Sequence, residues 1–218
     1  MNRYRAAPLL GVACAAGLVS ACFLSPKPDP TRYYNLSGLE EDPGLYSAAG
    51  LVGDDPATAA RAAGLPLEIR IGVGPITFPS YLTRTRMATR MADNQLGYSE
   101  TDRWAEPLEE AFRYVLARDM EFIIGTDQVI LHPWYRTDHP DVTVGVDVVR
   151  FERDHVGTVR LAGNWELRDA TGETLGSHSF SIEEPANQES IASSVRAQSR
   201  AVAALAREIA DEIRRADS

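Results

Sequence analysis

The side chain with the clearest chemistry in this 218-residue chain is the Cys22 thiol. It follows Val19-Ser20-Ala21 at the end of an apolar run, Pro8 to Val19, that starts behind Arg3 and Arg5. A charged start, a short apolar stretch and small residues at a cleavage point read as an export signal. The run falls short of the roughly 20 apolar residues a spanning helix requires. The other cysteine, Cys14, lies inside the segment to be removed, so no thiol pair remains for an internal disulfide and stability must come from a core.

Elsewhere the reactive residue types are scattered. Gly72-Val73-Gly74-Pro75 begins like a dinucleotide loop, but the third glycine is absent and Pro75 lacks the N–H a phosphate would use, so no cofactor is expected. No serine sits in a G-x-S-x-G elbow. His132, His139, His155 and His178 match no zinc spacing. Asp138, His139 and Asp141 share one loop, where an exposed turn beside Pro140 outweighs a metal set. Glu106, Glu109 and Glu110 begin a helix, where acids suit the positive end of its dipole better than they suit paired catalysis. The pattern nominates no catalytic residue and no metal ligands; the chain reads as not an enzyme.

A cysteine directly behind small residues resembles the lipobox of bacterial lipoproteins. The resemblance implies a signal peptide over 1–21, acylation of Cys22 and a mature chain tethered to a membrane; a secreted protein with a cysteine near its cleavage point is the alternative. Two or more acyl chains hold such a protein firmly. Phe23 stands where an aspartate would signal inner-membrane retention, so the expected address is the periplasmic face of the outer membrane.

The elements that carry these residues can be read from the pattern. Pro26, Pro28 and Pro30 make residues 22–30 a lipidated tether whose extended stretch spans roughly 25 Å. The composition is globular, with 44% hydrophobic and 24% charged residues, so 31–218 should form one domain. A net charge of −9, more negative once the signal leaves, excludes nucleic acid as a partner. Tyr33 to Leu36 is a strand candidate, and 37–64, rich in Gly, Ala, Asp and Pro, reads as a long flexible surface loop with a weak helical turn near Ala57 to Ala63. Leu67 to Val73 alternates as a strand with one buried face, continued by Ile76 and Phe78. Residues 86–91 and 95–100 flank Asp93-Asn94 as a hairpin. Trp104, Leu108, Ala111, Phe112, Val115 and Leu116 form a helical stripe with Pro107 in its first turn, and Val129 to Leu131 is a short strand. Residues 142–183 read as an antiparallel meander turning at Asp154–Gly157 and Asp169–Gly172, with a bulge at Val148-Val149. Trp134 and Trp165 fit a core or an interface. Asn187 caps a long amphipathic C-terminal helix whose stripe, Ile191, Val195, Val202, Leu205, Ile209 and Ile213, packs on the sheet or forms an intermolecular coiled coil. The fold class is α/β, a mixed β-sheet covered by helices.

The segment from Ile71 to Met120 is distinctive: Phe78-Pro79-Ser80-Tyr81-Leu82, then Arg86 to Arg90, Asn94 and Leu96, then Asp102-Arg103-Trp104-Ala105-Glu106-Pro107-Leu108. It resembles the paraquat-inducible protein C family, the ABC-type transport auxiliary lipoproteins. The resemblance implies a three-layer fold similar to the amino-terminal domain of TolB. It also implies a non-enzymatic outer-membrane lipoprotein that docks an MCE-domain periplasmic tunnel protein and helps move phospholipid or another hydrophobic compound between membranes. The loop at 37–64 looks longer than the family requires. Such a role needs a docking surface. Phe78 and Tyr81 are candidate aromatic anchors, and Arg84, Arg86 and Arg90 candidate contacts to an acidic partner or to a second copy in a homo-oligomer. Core packing and a solvated face are the alternatives. A structural lipoprotein that stabilises the envelope without a transporter is the rival function, and an envelope enzyme a weaker one.

Cys22→Ala is expected to leave a folded protein that no longer anchors. Detergent phase partitioning checks it: a cleaved Cys22→Ala chain that still enters the detergent phase would refute acylation at this position.

Overall fold

A computed structural model describes residues 28–51, 69–135 and 137–217. Cys22, the signal segment, most of the tether and the expected helical turn at 57–63 lie outside the described residues. The chain divides into Met1–Pro30 and a compact unit, Thr31–Ser218.

The unit is organised on one long strand, β6 (Val142–Asp154), whose valines alternate inward until a register shift between Val148 and Arg150 turns Val149 outward and Phe151 in. The expected bulge is therefore real. On one side β6 pairs antiparallel along its length with β7 (Thr158–Asp169), which pairs antiparallel with β8 (Thr174–Pro185). Gly163 lets β6, β7 and β8 stack closely, because a Cβ there would collide with the Asp147 carbonyl and the Phe180 ring.

On its other side β6 forks. Its first half pairs in parallel with β2 (Ile71–Thr77), which carries β5 (Val129–Leu131), also parallel. Its last residues, Arg153 and Asp154, pair in parallel with β3 (Arg86–Ala92), which continues antiparallel to β4 (Gln95–Trp104) and then parallel to β1 (Arg32–Tyr34). The expected hairpin at Asp93-Asn94 joins β3 to β4. β2 was expected to bury one face. Residues 71–74 are instead buried on both, because the strand runs between β5 and β6 and Trp134 packs against Gly72.

Two helices cover one face of the sheet. α1 (Leu108–Ile124) starts behind Pro107, carries Glu109 and Glu110 in its first turn, and stops at Gly125, whose left-handed backbone lets its N–H reach the Glu121 carbonyl. Pro107 is thus the residue before the helix rather than within its first turn. Trp104 is a second correction: it ends β4, held by its N–H to the Thr85 carbonyl and paired with Tyr34, and only its four-residue spacing from Leu108 imitates a helical stripe. α2 (Ile191–Ala216) is capped by Ser190, which accepts from the Ser193 N–H, while the expected cap Asn187 forms a turn with the Glu189 N–H just upstream. Val195, Val202, Leu205, Ile209 and Ile213 are all buried inside the unit, which overturns the coiled-coil alternative.

Residues 36–51 correct the surface-loop reading. Leu36, Leu39, Leu45, Tyr46, Ala49 and Leu51 are all core residues. This strap lies over both helices: the Ser37 N–H donates to Ser199 Oγ at 3.0 Å, the Leu39 N–H to Asp119 Oδ1 at 2.7 Å, and the Tyr46 ring stacks on Phe122. Irregular backbone has no period, which is why its apolar residues did not announce themselves.

Trp104 is 4% exposed beneath the helices. Trp104→Ala should destabilise by about 3–5 kcal/mol through the cavity it leaves, lowering Tm by on the order of 10 °C. A melt within 2–3 °C of wild type would refute the burial argument.

Candidate docking surface and the buried carboxylates that hold it

The fork leaves β6 without a strand neighbour between its β2 and β3 pairings. One side chain fills the gap. Glu152, 1% exposed, accepts from Arg90 Nε at 2.7 Å and Arg150 Nε at 3.1 Å through Oε1, and from the Tyr81 hydroxyl at 2.7 Å and the Phe151 N–H at 3.1 Å through Oε2. Tyr81 also donates weakly to the Val149 carbonyl at 3.3 Å, so the connection after β2 is stitched to the bulge. Burial, and then the bond to Glu152, push the Tyr81 phenol well above its ordinary range. It stays a neutral donor. On the helix side of the bulge, Gln198 donates to the Phe151 carbonyl at 3.2 Å.

The five docking candidates therefore divide. Phe78 is half-buried and packs edge-on against the core rings of Phe112 and Phe151, with ring centroids 5.3 and 6.3 Å away. Tyr81 and Arg90 direct their polar atoms to Glu152. Arg84 and Arg86 are exposed. Arg84 lies over the Tyr98 ring at 5.3 Å, and Arg86 donates to the Ser99 and Tyr98 carbonyls at 2.8 and 3.4 Å, closing the bulge where β4 shifts register. Of the set, only these two present their cationic ends outward.

A second buried carboxylate holds the strap. Asp119, 1% exposed on α1, takes the Leu39 N–H on Oδ1, while Oδ2 has no hydrogen-bond partner among the described residues. Burial pushes this carboxyl up to about 8, helped by the nearby charge of Glu41. Beside it, between the strap and α1, is a cleft of about 290 Å³ lined by Glu40, Glu41, Glu106, Tyr114 and Arg118. Arg118 bridges Glu40 to Glu121 across its rim.

The chemistry-bearing residues of the sequence are dispersed. Asp138 and Asp141 accept the backbone N–H groups of Tyr135 and Arg70, His178 stacks on Trp165, and His132 meets the edge of Trp134. Among the described residues no group of three or more metal-capable side chains gathers, and no helix is long and apolar enough to cross a membrane. Sequence reasoning missed Glu152 and Asp119, since a lone acid in a strand or helix carries no mark of burial. It also missed Arg103 and Tyr33. Both are register neighbours of the Arg86 row, visible only once β1 and β4 are paired.

A mixed sheet covered on one face by two helices is the fold of two crystal structures. An uncharacterized protein, 23% identical, matches with a TM-score of 0.59 over 68% of this chain and 95% of its own. A DUF330-family protein from Xanthomonas campestris, 17% identical, matches with a TM-score of 0.57 over 67% and 86%. At these identities the likeness is one of fold. Residues 52–210 match the family described as ABC-type transport auxiliary lipoprotein component, and the chain belongs to that family. It is thus a transport-associated lipoprotein of the cell envelope, as the Phe78–Leu108 segment indicated. No curated protein matches it.

Asp119 makes stability depend on pH. Its folded pKa is raised from 3.8 to about 8, so the favourable contribution is complete below pH ~4 and is lost as pH rises through ~8. Asp119→Asn keeps an oxygen for the Leu39 N–H and removes the titration. The Tm of the variant relative to wild type should climb from pH 5 to 8 and then level off; a constant difference would contradict the assignment.

Proposed function

We propose that the chain is the non-enzymatic outer-membrane lipoprotein of an MCE-type ABC system that moves phospholipid or another hydrophobic compound between membranes. Its folded unit docks the periplasmic tunnel protein. The observation that carries this reading is the family match over 52–210. Two features of the sequence support the rest: the lipobox-like Val19-Ser20-Ala21-Cys22, which supplies an anchor, and Phe23, which lacks the retention signal. The work asked of the folded unit is rigid presentation of a surface. A sheet stitched at its fork and helices strapped from outside are suited to that.

The test is affinity capture of the full-length tagged protein from solubilised envelopes, with partners identified by mass spectrometry. An MCE-domain protein and its permease are expected. Their absence, with the lipoprotein intact, would favour a structural lipoprotein instead. Density-gradient fractionation in the same cells should place wild type with the outer membrane and shift Phe23→Asp toward the inner membrane. Identical profiles would refute the sorting argument.

A further inference from the structure

We infer that the open face of the β1–β4–β3 corner docks an acidic segment of a protein partner, through Tyr33, Arg84, Arg86 and Arg103. The inference rests on the auxiliary-transport reading above and specifies the surface and the partner's chemistry.

The pairing register sets Tyr33 opposite Arg103, and Arg103 opposite Arg86, so the three form one row across three strands. Partners in register share a face. Met87 and Trp104, one residue along, are buried against the helices, which places the row on the uncovered side. Like charges directly opposite each other destabilise a sheet. Here two arginines are opposed, and Arg84 lies close by over the Tyr98 ring, whose own carbonyl Arg86 bonds.

The chain has 31 acids against 22 Lys and Arg, yet among the described residues none of Arg84, Arg86 and Arg103 pairs with a carboxylate. Arg103 donates only to the Glu100 carbonyl, at 3.3 Å, and its buried Nη1 has no partner among the described residues. A carboxylate from outside would relieve the repulsion between the opposed arginines. The backbone bonds of Arg86 and Arg103 already restrain their side chains, so less freedom is lost on binding. Tyr33 is 66% exposed beside them, and tyrosine with arginine is the pairing that dominates protein interfaces. A protein carboxylate fits better than a membrane surface. Exposed Glu100, whose carbonyl Arg103 bonds, sits beside the row and disfavours an extended sheet of anionic head groups, while leaving room for discrete acids.

The test uses full-length lipoprotein in non-ionic micelles and two probes: the transporter subunit captured above, and a fluorescent decaglutamate peptide. Arg84→Glu, Arg103→Glu and Tyr33→Ala should each weaken subunit capture by about tenfold or more, with Tm within a few degrees of wild type. Arg196→Ala, on the helix-and-strap side of the unit, loses only its surface ion pair with Asp42 and should leave capture unchanged. Wild-type capture that survives these substitutions would overturn the surface and leave the function standing. If wild type captures no subunit, the functional reading fails, and the peptide decides the surface alone. Salt-sensitive binding lost in Arg103→Glu supports it, and no binding overturns it. An Arg103-dependent response to phosphatidylglycerol in the micelles, without one to the peptide, would assign the row to lipid and also overturn it.

Discussion

The fold depends on a carboxylate that has no business being buried unless everything around it is in place. Glu152 is almost inaccessible and accepts four hydrogen bonds, two of them from guanidinium groups. Taking a carboxylate out of water costs several kcal/mol, recovered only when its charge and lone pairs are matched. Here the matching groups come from three places: Tyr81 from the connection after β2, Arg90 from β3, and Arg150 with the Phe151 N–H from β6 itself. Removing any one leaves the charge under-compensated. The two arms of the forked sheet are thereby fixed to the spine at one point, and the open face beyond it acquires a defined shape.

Asp119 plays a different part on the other side of the helices. It has one partner rather than four, and it answers burial by favouring its protonated form near neutral pH. The strap it receives closes a third layer over α1 and α2, and the Asp42–Arg196 ion pair at 3.1 Å adds a surface tie. So the two helices are held between a sheet and a length of irregular chain. The layering keeps every apolar face of α2 inside the unit.

For a transport auxiliary these features fit together. The unit offers no gathered catalytic set among its described residues, and its polar networks serve to hold strands and helices in register. What faces outward on the uncovered sheet is a run of cations on a chain that is acidic as a whole. A tethered, rigid surface of locally reversed charge can recognise a partner without chemistry of its own.

The sequence by itself determined the elements whose information is local. Alternating valines mark β6, apolar residues at three and four mark both helices, Asp93-Asn94 and the two later turns close hairpins, and Val148-Val149 betrays the bulge. The Arg103–Leu108 stretch carried the family, because a short motif is read without folding. Tertiary structure decided what depends on pairing across distance. Trp104 is spaced like a helix residue, but Tyr34 and Thr85 hold it in a strand. Leu39, Leu45 and Tyr46 sit in a composition that reads as loop, and only the helices beneath them make them core. Tyr81 and Arg90 look like surface groups until Glu152, some 70 and 60 residues away in the chain, claims them. Local propensity sets elements and turns; the burial of a charge, or the face on which a residue ends, is settled by neighbours that the chain brings in from elsewhere.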